Sequence, residues 1–231
     1  MRRLFATAFL FYVSVSLYAQ QTNNTINGHA YVDLGLSVKW ATCNVGATTP
    51  QEKGNLYAWG EIFPIDSKIL NGYSFYSSIT AGVMFEYITK YNYLTTKDYL
   101  SGTLDNKIAL EPCDDVANIL WKEGWRMPSF YELIELSDSC TWEWTELNGT
   151  KGFLVTSKIK GYTDNSIFLP AAGSSYMSEK KKNNNPCVCI WSSSLYMRDP
   201  YSANALIIQS NGEREYNFQR HVGISVRPVH P

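Results

Sequence analysis

The sequence predicts an α+β domain. Two helical segments sit together in the middle of the chain, short β segments flank them on both sides, and Asn-Gly dipeptides mark hairpins among those segments. No strand–helix–strand alternation runs through it, so a parallel α/β sheet is not expected.

The chain opens outside that domain. Arg2 and Arg3 precede an uncharged apolar stretch, Leu4–Leu17, followed by Tyr18-Ala19-Gln20. A basic start, a short apolar core and a small residue before a polar segment read as a secretory signal peptide over residues 1–19. The stretch is shorter than the ~20 residues a spanning helix needs. Residues 20–28 then read as a polar, mobile leader, and residues 29–231 as a single domain.

Within the domain, Ala30–Asp33 and Val38–Cys43 read as strands around a Leu34–Ser37 turn, and Asn55–Trp59 as a strand between Gly54 and Gly60. Residues 61–106 hold no period and read as a long irregular excursion, with a short ordered patch at Ile88–Tyr91. The first helix is expected over Asp114–Trp121, with Val116, Ala117, Leu120 and Trp121 at helical spacing and acids in its first turn. Pro128 and Ser129 start the second. Ser129 can cap it while Glu132 reaches back to the cap amide, and Phe130, Leu133, Ile134 and Leu136 form its apolar side as far as about Ser139.

Beyond the helices the pattern is β. Thr141–Thr145 alternates strictly, Asn148-Gly149 turns the ribbon, and Gly152–Lys158 returns it. Ile167–Pro170, Val188–Ser194, Ala203–Gln209 and Gly223–Val229 are further strands, and Asn211-Gly212 marks a second hairpin. A polar loop from Gly173 to Pro186 carries Lys180-Lys181-Lys182.

Charge narrows the function. With 20 Lys+Arg against 21 Asp+Glu, the chain is near neutral and its charges are scattered. That excludes an electrostatic nucleic-acid binder, and no second apolar run predicts membrane insertion once the signal is removed. The 5 cysteines, Cys43, Cys113, Cys140, Cys187 and Cys189, all lie in the exported portion. Only Cys187 and Cys189 are close in sequence. On a strand they would share one face, and a bond between them would close a strained ring, so buried thiols are the default expectation.

Catalytic patterns are missing. His29, His221 and His230 are far apart, no Gly-x-Ser-x-Gly or phosphate-cradling glycine loop occurs, and Ser192-Ser193-Ser194 lacks triad partners. Asp114-Asp115 could help hold calcium, although acids at a helix start are the commoner reading. No other metal and no cofactor is expected.

The polar-aromatic stretch 174–220 is the candidate ligand surface, with Tyr176, Trp191, Tyr196, Tyr201, Asn204, Tyr216, Asn217 and Arg220 as its candidate binding residues. Rings beside amides and hydroxyls offer stacking area and polar handles together.

Several ordered motifs point further. Tyr31-Val-Asp-Leu-Gly-Leu36, Trp40-Ala-Thr-Cys-Asn-Val-Gly-Ala47 and Tyr57-Ala-Trp-Gly-Glu61 open the domain. Gly124-Trp-Arg-Met-Pro128 lies in its middle, and Trp191-Ser-Ser-Ser194 and Gly223-Ile-Ser-Val-Arg-Pro-Val229 lie at its end. Together they resemble the Fibrobacter succinogenes major paralogous domain family, which is similar to the C-type-lectin-like and formylglycine-generating-enzyme-like folds. The resemblance implies a C-type-lectin-like domain with a twisted antiparallel sheet, two flanking helices and long loops, exported from a Bacteroidetes-type bacterium. Trp40, Trp59 and Trp125 are then expected in the core. Arg126 and Arg227 are expected to be buried and held by carboxylates or carbonyls, since an unpaired buried guanidinium is costly.

The chain departs from the family pattern at Cys113, where an acid is usual, and at its end, where a cysteine is usual. The calcium-dependent lectin signatures Glu-Pro-Asn and Gln-Pro-Asp are absent. The functional expectation is a non-catalytic exported binding module for glycan or a cell-surface protein. A structural component of a surface assembly and a formylglycine-generating-like oxidase using Cys187 and Cys189 are the alternatives. Export predicts a mature chain beginning at Gln20, which intact mass of the secreted product would read directly; a product retaining residues 1–19 would contradict it.

Overall fold

Each of the two central strands buries both of its faces, and the rest of the fold follows from that. The computed structural model describes residues 24–65, 73–78, 86–93, 104–175 and 186–231. Residues 1–19, Tyr176 and the Lys180–Lys182 run lie outside them.

Among the described residues, fourteen strands, two α-helices and one 3-10 turn make a mostly β architecture that is α+β in the broad sense. The strands are β1 (Thr25–Ile26), β2 (His29–Val32), β3 (Lys39–Ala41), β4 (Leu56–Tyr57), β5 (Tyr76–Ser78), β6 (Glu86–Ile88) and β7 (Cys140–Leu147). They continue with β8 (Thr150–Ser157), β9 (Ser166–Pro170), β10 (Cys187–Leu195), β11 (Ser202–Gln209), β12 (Arg214–Gln219), β13 (Ile224–Ser225) and β14 (Val229–His230). Helices α1 (Val116–Trp121) and α2 (Phe130–Ser139) lie between β6 and β7.

Among the described residues these strands form four sheets: β1-β2-β3-β14, β12-β11-β10-β13-β4, β5-β6 and β7-β8-β9. All pairings are antiparallel except β10 with β13.

Strands β10 and β11 sit between two apolar clusters. Alternation sends Cys187, Cys189, Trp191, Ala203, Ala205 and Ile207 to one cluster, with Trp59, Tyr91, Trp121 and Trp125. It sends Val188, Ile190, Leu206 and Ile208 to the other, with Trp40, Leu133, Leu136, Val155 and Leu169. A sheet buried on both faces reads as a continuous apolar run, as these two strands do. Trp40, Trp59 and Trp125 are fully buried, as expected.

Local signals hold well. Ser129 Oγ accepts from the Glu132 amide and Glu132 accepts from the Ser129 amide, completing the capping box of α2. Asn148 and Gly149 both take positive φ, 47° and 83°, and the β7–β8 ladder closes up to Leu147 and Thr150. Helix α1 starts later than expected, because Asp115 is its cap and not its first-turn acid; the carboxylate accepts from the Ala117 and Asn118 amides.

Two expectations are corrected. The leader 20–28 joins the fold from Asn24: Asn27 and Gly28, at φ 48° and 78°, turn β1 back onto β2. His29 stacks on Trp121 with ring centroids 3.7 Å apart, and Trp125 Nε1 donates to Ile26 O at 3.0 Å. The expected strand Gly223–Val229 is two strands in different sheets. Between them Arg227 turns inward and Pro228 has no N–H to give a ladder.

Arg227 is fully buried. Nε donates to Asn44 Oδ1 at 2.9 Å, Nη1 to Ala41 O at 3.0 Å and Nη2 to Phe168 O at 3.0 Å. Carbonyls and an amide satisfy it, with no carboxylate. Arg227→Met is expected to destabilise the domain by at least about 3 kcal/mol, because three buried acceptors lose their donors at once. Urea unfolding would measure this, and a loss under about 1 kcal/mol would show that the guanidinium is not the tie it looks to be.

Candidate functional site

The expected ligand surface divides when its residues are located. Trp191 is wholly buried and its Nε1 donates to Tyr57 O at 2.8 Å. Asn204 is buried and its Nδ2 donates to Leu195 O at 2.9 Å. Both are buried on the two central strands with their polar nitrogens already bonded, so neither is a surface residue. Tyr196, Tyr201, Tyr216 and Asn217 are half-buried.

Arg220 is a third correction. Its guanidinium is fully buried among Trp59, Tyr73, Phe75 and Tyr91, with Cζ 4.8, 5.6, 5.9 and 6.0 Å from the ring centroids. Nη1 donates to Tyr91 O and Pro200 O at 3.3 and 3.1 Å, and Nη2 to Lys90 O at 2.9 Å. Nε donates to the Tyr73 hydroxyl, whose pKa is pushed up by burial. Ring faces and carbonyl dipoles thus replace the water this cation has lost. It fastens Tyr73, Phe75, Lys90 and Tyr91 to the end of β12.

The acidic residues are also engaged. Asp115 caps α1 through Oδ1 and accepts from the Met127 amide through Oδ2 at 2.8 Å, and burial raises its pKa. Asp114 accepts from Lys90 Nζ at 2.5 Å and from the Tyr91 hydroxyl. The same ammonium lies 2.7 Å from Glu111, and Lys107 lies 2.7 Å from the other Glu111 oxygen. Those two lysines hold the Glu111 carboxyl down at about 2. Ligand atoms of Glu111, Cys113 and Asp114 lie within 4.8 Å of one another, yet the Lys90 ammonium already sits between the two carboxylates. Calcium at Asp114 and Asp115 has no geometric support, since both carboxylates serve the fold.

Arg126 meets half of its expectation: a carboxylate holds it, but its side chain is 36% exposed and not buried. Nη1 and Nη2 donate to the two Glu132 oxygens at 2.8 and 2.6 Å, a bidentate pair at the start of α2. Burial pushes the Glu132 pKa up, but Arg126 and the Ser129 amide outweigh it and hold it below the usual range.

A different surface remains, at the junction of α2, β12 and β7. Tyr131 is 84% exposed at the start of α2, and Phe130 beside it contacts Tyr216 edge to face at 6.2 Å. A register shift in the β11–β12 pairing between Asn204 and Ile207 lets Tyr216 pack on the α2 side while Phe218 packs on the other. Arg214 shares the Tyr216 side and lies over the Trp142 ring at 5.6 Å. Trp142 and Trp144, two apart on β7, both rest half-buried against Phe153 at 5.8 and 4.9 Å. The result is a strip of partly open rings with one guanidinium, rooted in a packed core.

No family model, curated protein or solved structure matches the chain.

Of the strip, only Tyr216 was among the expected binding residues, although Arg214 lies in the same stretch. Signals for the others were present. Tyr131 lies out of phase with the apolar side of α2, and Trp142 and Trp144 alternate with Thr141, Glu143 and Thr145. What sequence could not supply was their meeting with β12.

The Arg126–Glu132 pair generates a pH prediction. Glu132 has a folded pKa below its unfolded one, so its stabilisation is complete above about pH 4.5 and is lost as pH falls through the folded value. Glu132→Gln is expected to cost about 1.5–3 kcal/mol at neutral pH and to flatten the fall in stability below pH 4.5. Denaturant unfolding across pH 3–7 would show it; parallel curves for the two proteins would contradict the assignment.

Proposed function

We propose that this protein is an exported, non-catalytic binding module whose ligand is a glycan lying along the Tyr131–Phe130–Tyr216–Trp142–Trp144 strip. The observation that carries this reading is the strip itself: rings from three separate elements share one side of the molecule, and Arg214 stands among them. Flat apolar ring faces suit the C–H faces of sugars, while the Tyr hydroxyls and the Arg214 guanidinium offer hydrogen bonds to sugar hydroxyls. A rigid bed under Trp142 and Trp144 keeps the ordering cost of binding low. This relocates the ligand surface from stretch 174–220 as a whole to the part of it that adjoins α2 and β7.

The export reading rests on the signal-like residues 1–19, and places the protein in the periplasm, at the cell surface or outside the cell. Membership of the Fibrobacter succinogenes major paralogous domain family and a C-type-lectin-like fold remain part of the proposal. Their support is the Gly124-Trp-Arg-Met-Pro128 entry into a Glu-bearing helix, the grouped helices and the antiparallel ribbons. No helix among the described residues is long and apolar enough to cross a membrane.

A second reading, a component of a surface assembly, draws on the open backbone edges of β12 and β7, each paired on one side only among the described residues.

An oligosaccharide array probed with purified residues 20–231 tests the glycan reading. Binding is expected, and Tyr131→Ala with Trp144→Ala should weaken the best hit at least about tenfold, or ~1.4 kcal/mol. The single Tyr131→Ala change should leave the unfolding midpoint in place, because that ring is exposed. An empty array, or affinity indifferent to both substitutions, would overturn the reading. Self-association by light scattering that persists in Tyr131→Ala would favour the assembly instead.

A further inference from the structure

Strand β10 begins Cys187-Val188-Cys189, and both cysteines are buried in the first apolar cluster. Their Sγ atoms are 3.1 Å apart, closer than ordinary contact between two non-bonded sulfurs. The strand is regular there, with Cys187 opposite Gln209 and Cys189 opposite Ile207 on β11. Residues two apart on an extended strand have Cα atoms about 6.6 Å apart, from a rise of ~3.3 Å each. That separation is near the upper end of the roughly 4.4–6.8 Å that a disulfide spans. A disulfide also needs its Cβ atoms about 3.5–4.5 Å apart, closer than same-face positions of a regular strand, so the bond requires the strand to pucker at Val188; the 3.1 Å approach of the two sulfurs already leans that way.

We propose that Cys187 and Cys189 close an intra-strand disulfide. The site is independent of the glycan reading, since it lies in the core cluster opposite the strip. The oxidant is a disulfide-bearing molecule, of low molecular weight or protein. The Cys187 thiolate attacks one of its sulfurs, forming a mixed disulfide and releasing the first thiolate. The Cys189 thiolate then attacks Cys187 Sγ, the second thiolate leaves, and the two protons lost by the cysteines go to the two released thiols. Two electrons pass from the cysteine pair to the oxidant, which is reduced.

The order of attack follows from the contact between the sulfurs. A hydrogen bond from Cys189 holds the Cys187 pKa below its ordinary value, and the same bond with burial raises that of Cys189. Because both sulfurs are enclosed in the closed domain, exchange requires the Cys187 end of β10 to open locally. Cys187 is the first residue of its strand and follows the exposed Pro186, so it is the nearer of the two to the exposed chain.

The test uses residues 20–231 with Cys43, Cys113 and Cys140 all changed to Ala, refolded in mixtures of oxidised and reduced glutathione, then denatured and treated with N-ethylmaleimide. Intact mass is expected to show no maleimide on protein refolded with oxidised glutathione in excess, and two after treatment with dithiothreitol. Adding Cys189→Ser should leave one glutathione adduct, trapped at Cys187. Peptide mapping of the unsubstituted chain, refolded in the same way, gives the same readout if the triple variant fails to fold. A linked 187–189 peptide is expected. Two maleimides at every glutathione ratio, or glutathione adducts without an internal bond, would overturn the proposal.

Discussion

A guanidinium buried without a carboxylate holds this domain together. Arg227 sits between β13 and β14, in the segment where the chain passes from one sheet to another. Its donors reach Ala41 on β3, Asn44 just beyond it, and Phe168 on β9. Three sheets therefore meet at one side chain. Burial lowers the Arg227 pKa to about 10, which still leaves it charged at neutral pH. A cation kept in a dry interior must have every donor placed, so its requirement fixes the relative positions of segments far apart in the chain. Asn44 is oriented for this task, since its own Nδ2 donates to Lys53 O at 2.9 Å.

The other two structural arginines, Arg220 fully buried and Arg126 partly exposed, are held by different means. Arg126 uses a bidentate carboxylate at the helix start, where Glu132 is already in place as half of the capping box. Arg220 uses ring faces and carbonyls. The contrast tracks the neighbours available: a helix start brings an acid close at no extra ordering cost, whereas the apolar cluster around Trp59 and Tyr91 offers mainly π-faces and backbone oxygens. In all three cases the charge orders its surroundings more than it adds net stability, because desolvation offsets much of the attraction.

The aromatic residues divide along the same lines. Trp59, Trp121, Trp125 and Trp191 pack on one side of the central sheet and are closed off by α1 and the N-terminal hairpin. On the other side α2 covers only part of the sheet, and β7 meets β12 at its margin. Rings at that margin keep one face on the core and one toward solvent. The strip exists because two sheet edges and a helix start converge there, and the bulge between β11 and β12 turns Tyr216 into it.

What the sequence determined by itself was local. The capping box at Ser129 and Glu132, the Asn148-Gly149 hairpin, the alternation of β7 and the burial of Trp40, Trp59 and Trp125 all depend on a few neighbouring residues or on a strong apolar bias. The Asn27-Gly28 turn was equally local, and was hidden only by the polar residues around it. Tertiary structure alone decided which polar-aromatic residues of 174–220 face outward. Trp191, Asn204 and Arg220 look like surface recognition residues by composition, yet a sheet covered on both faces has no outward side for the first two, and a distant aromatic cluster encloses the third. It also split Gly223–Val229 between two sheets, because the inward demand of Arg227 outweighs strand propensity. Periodicity reports that a strand has faces; only the packed layers determine whether either face meets water.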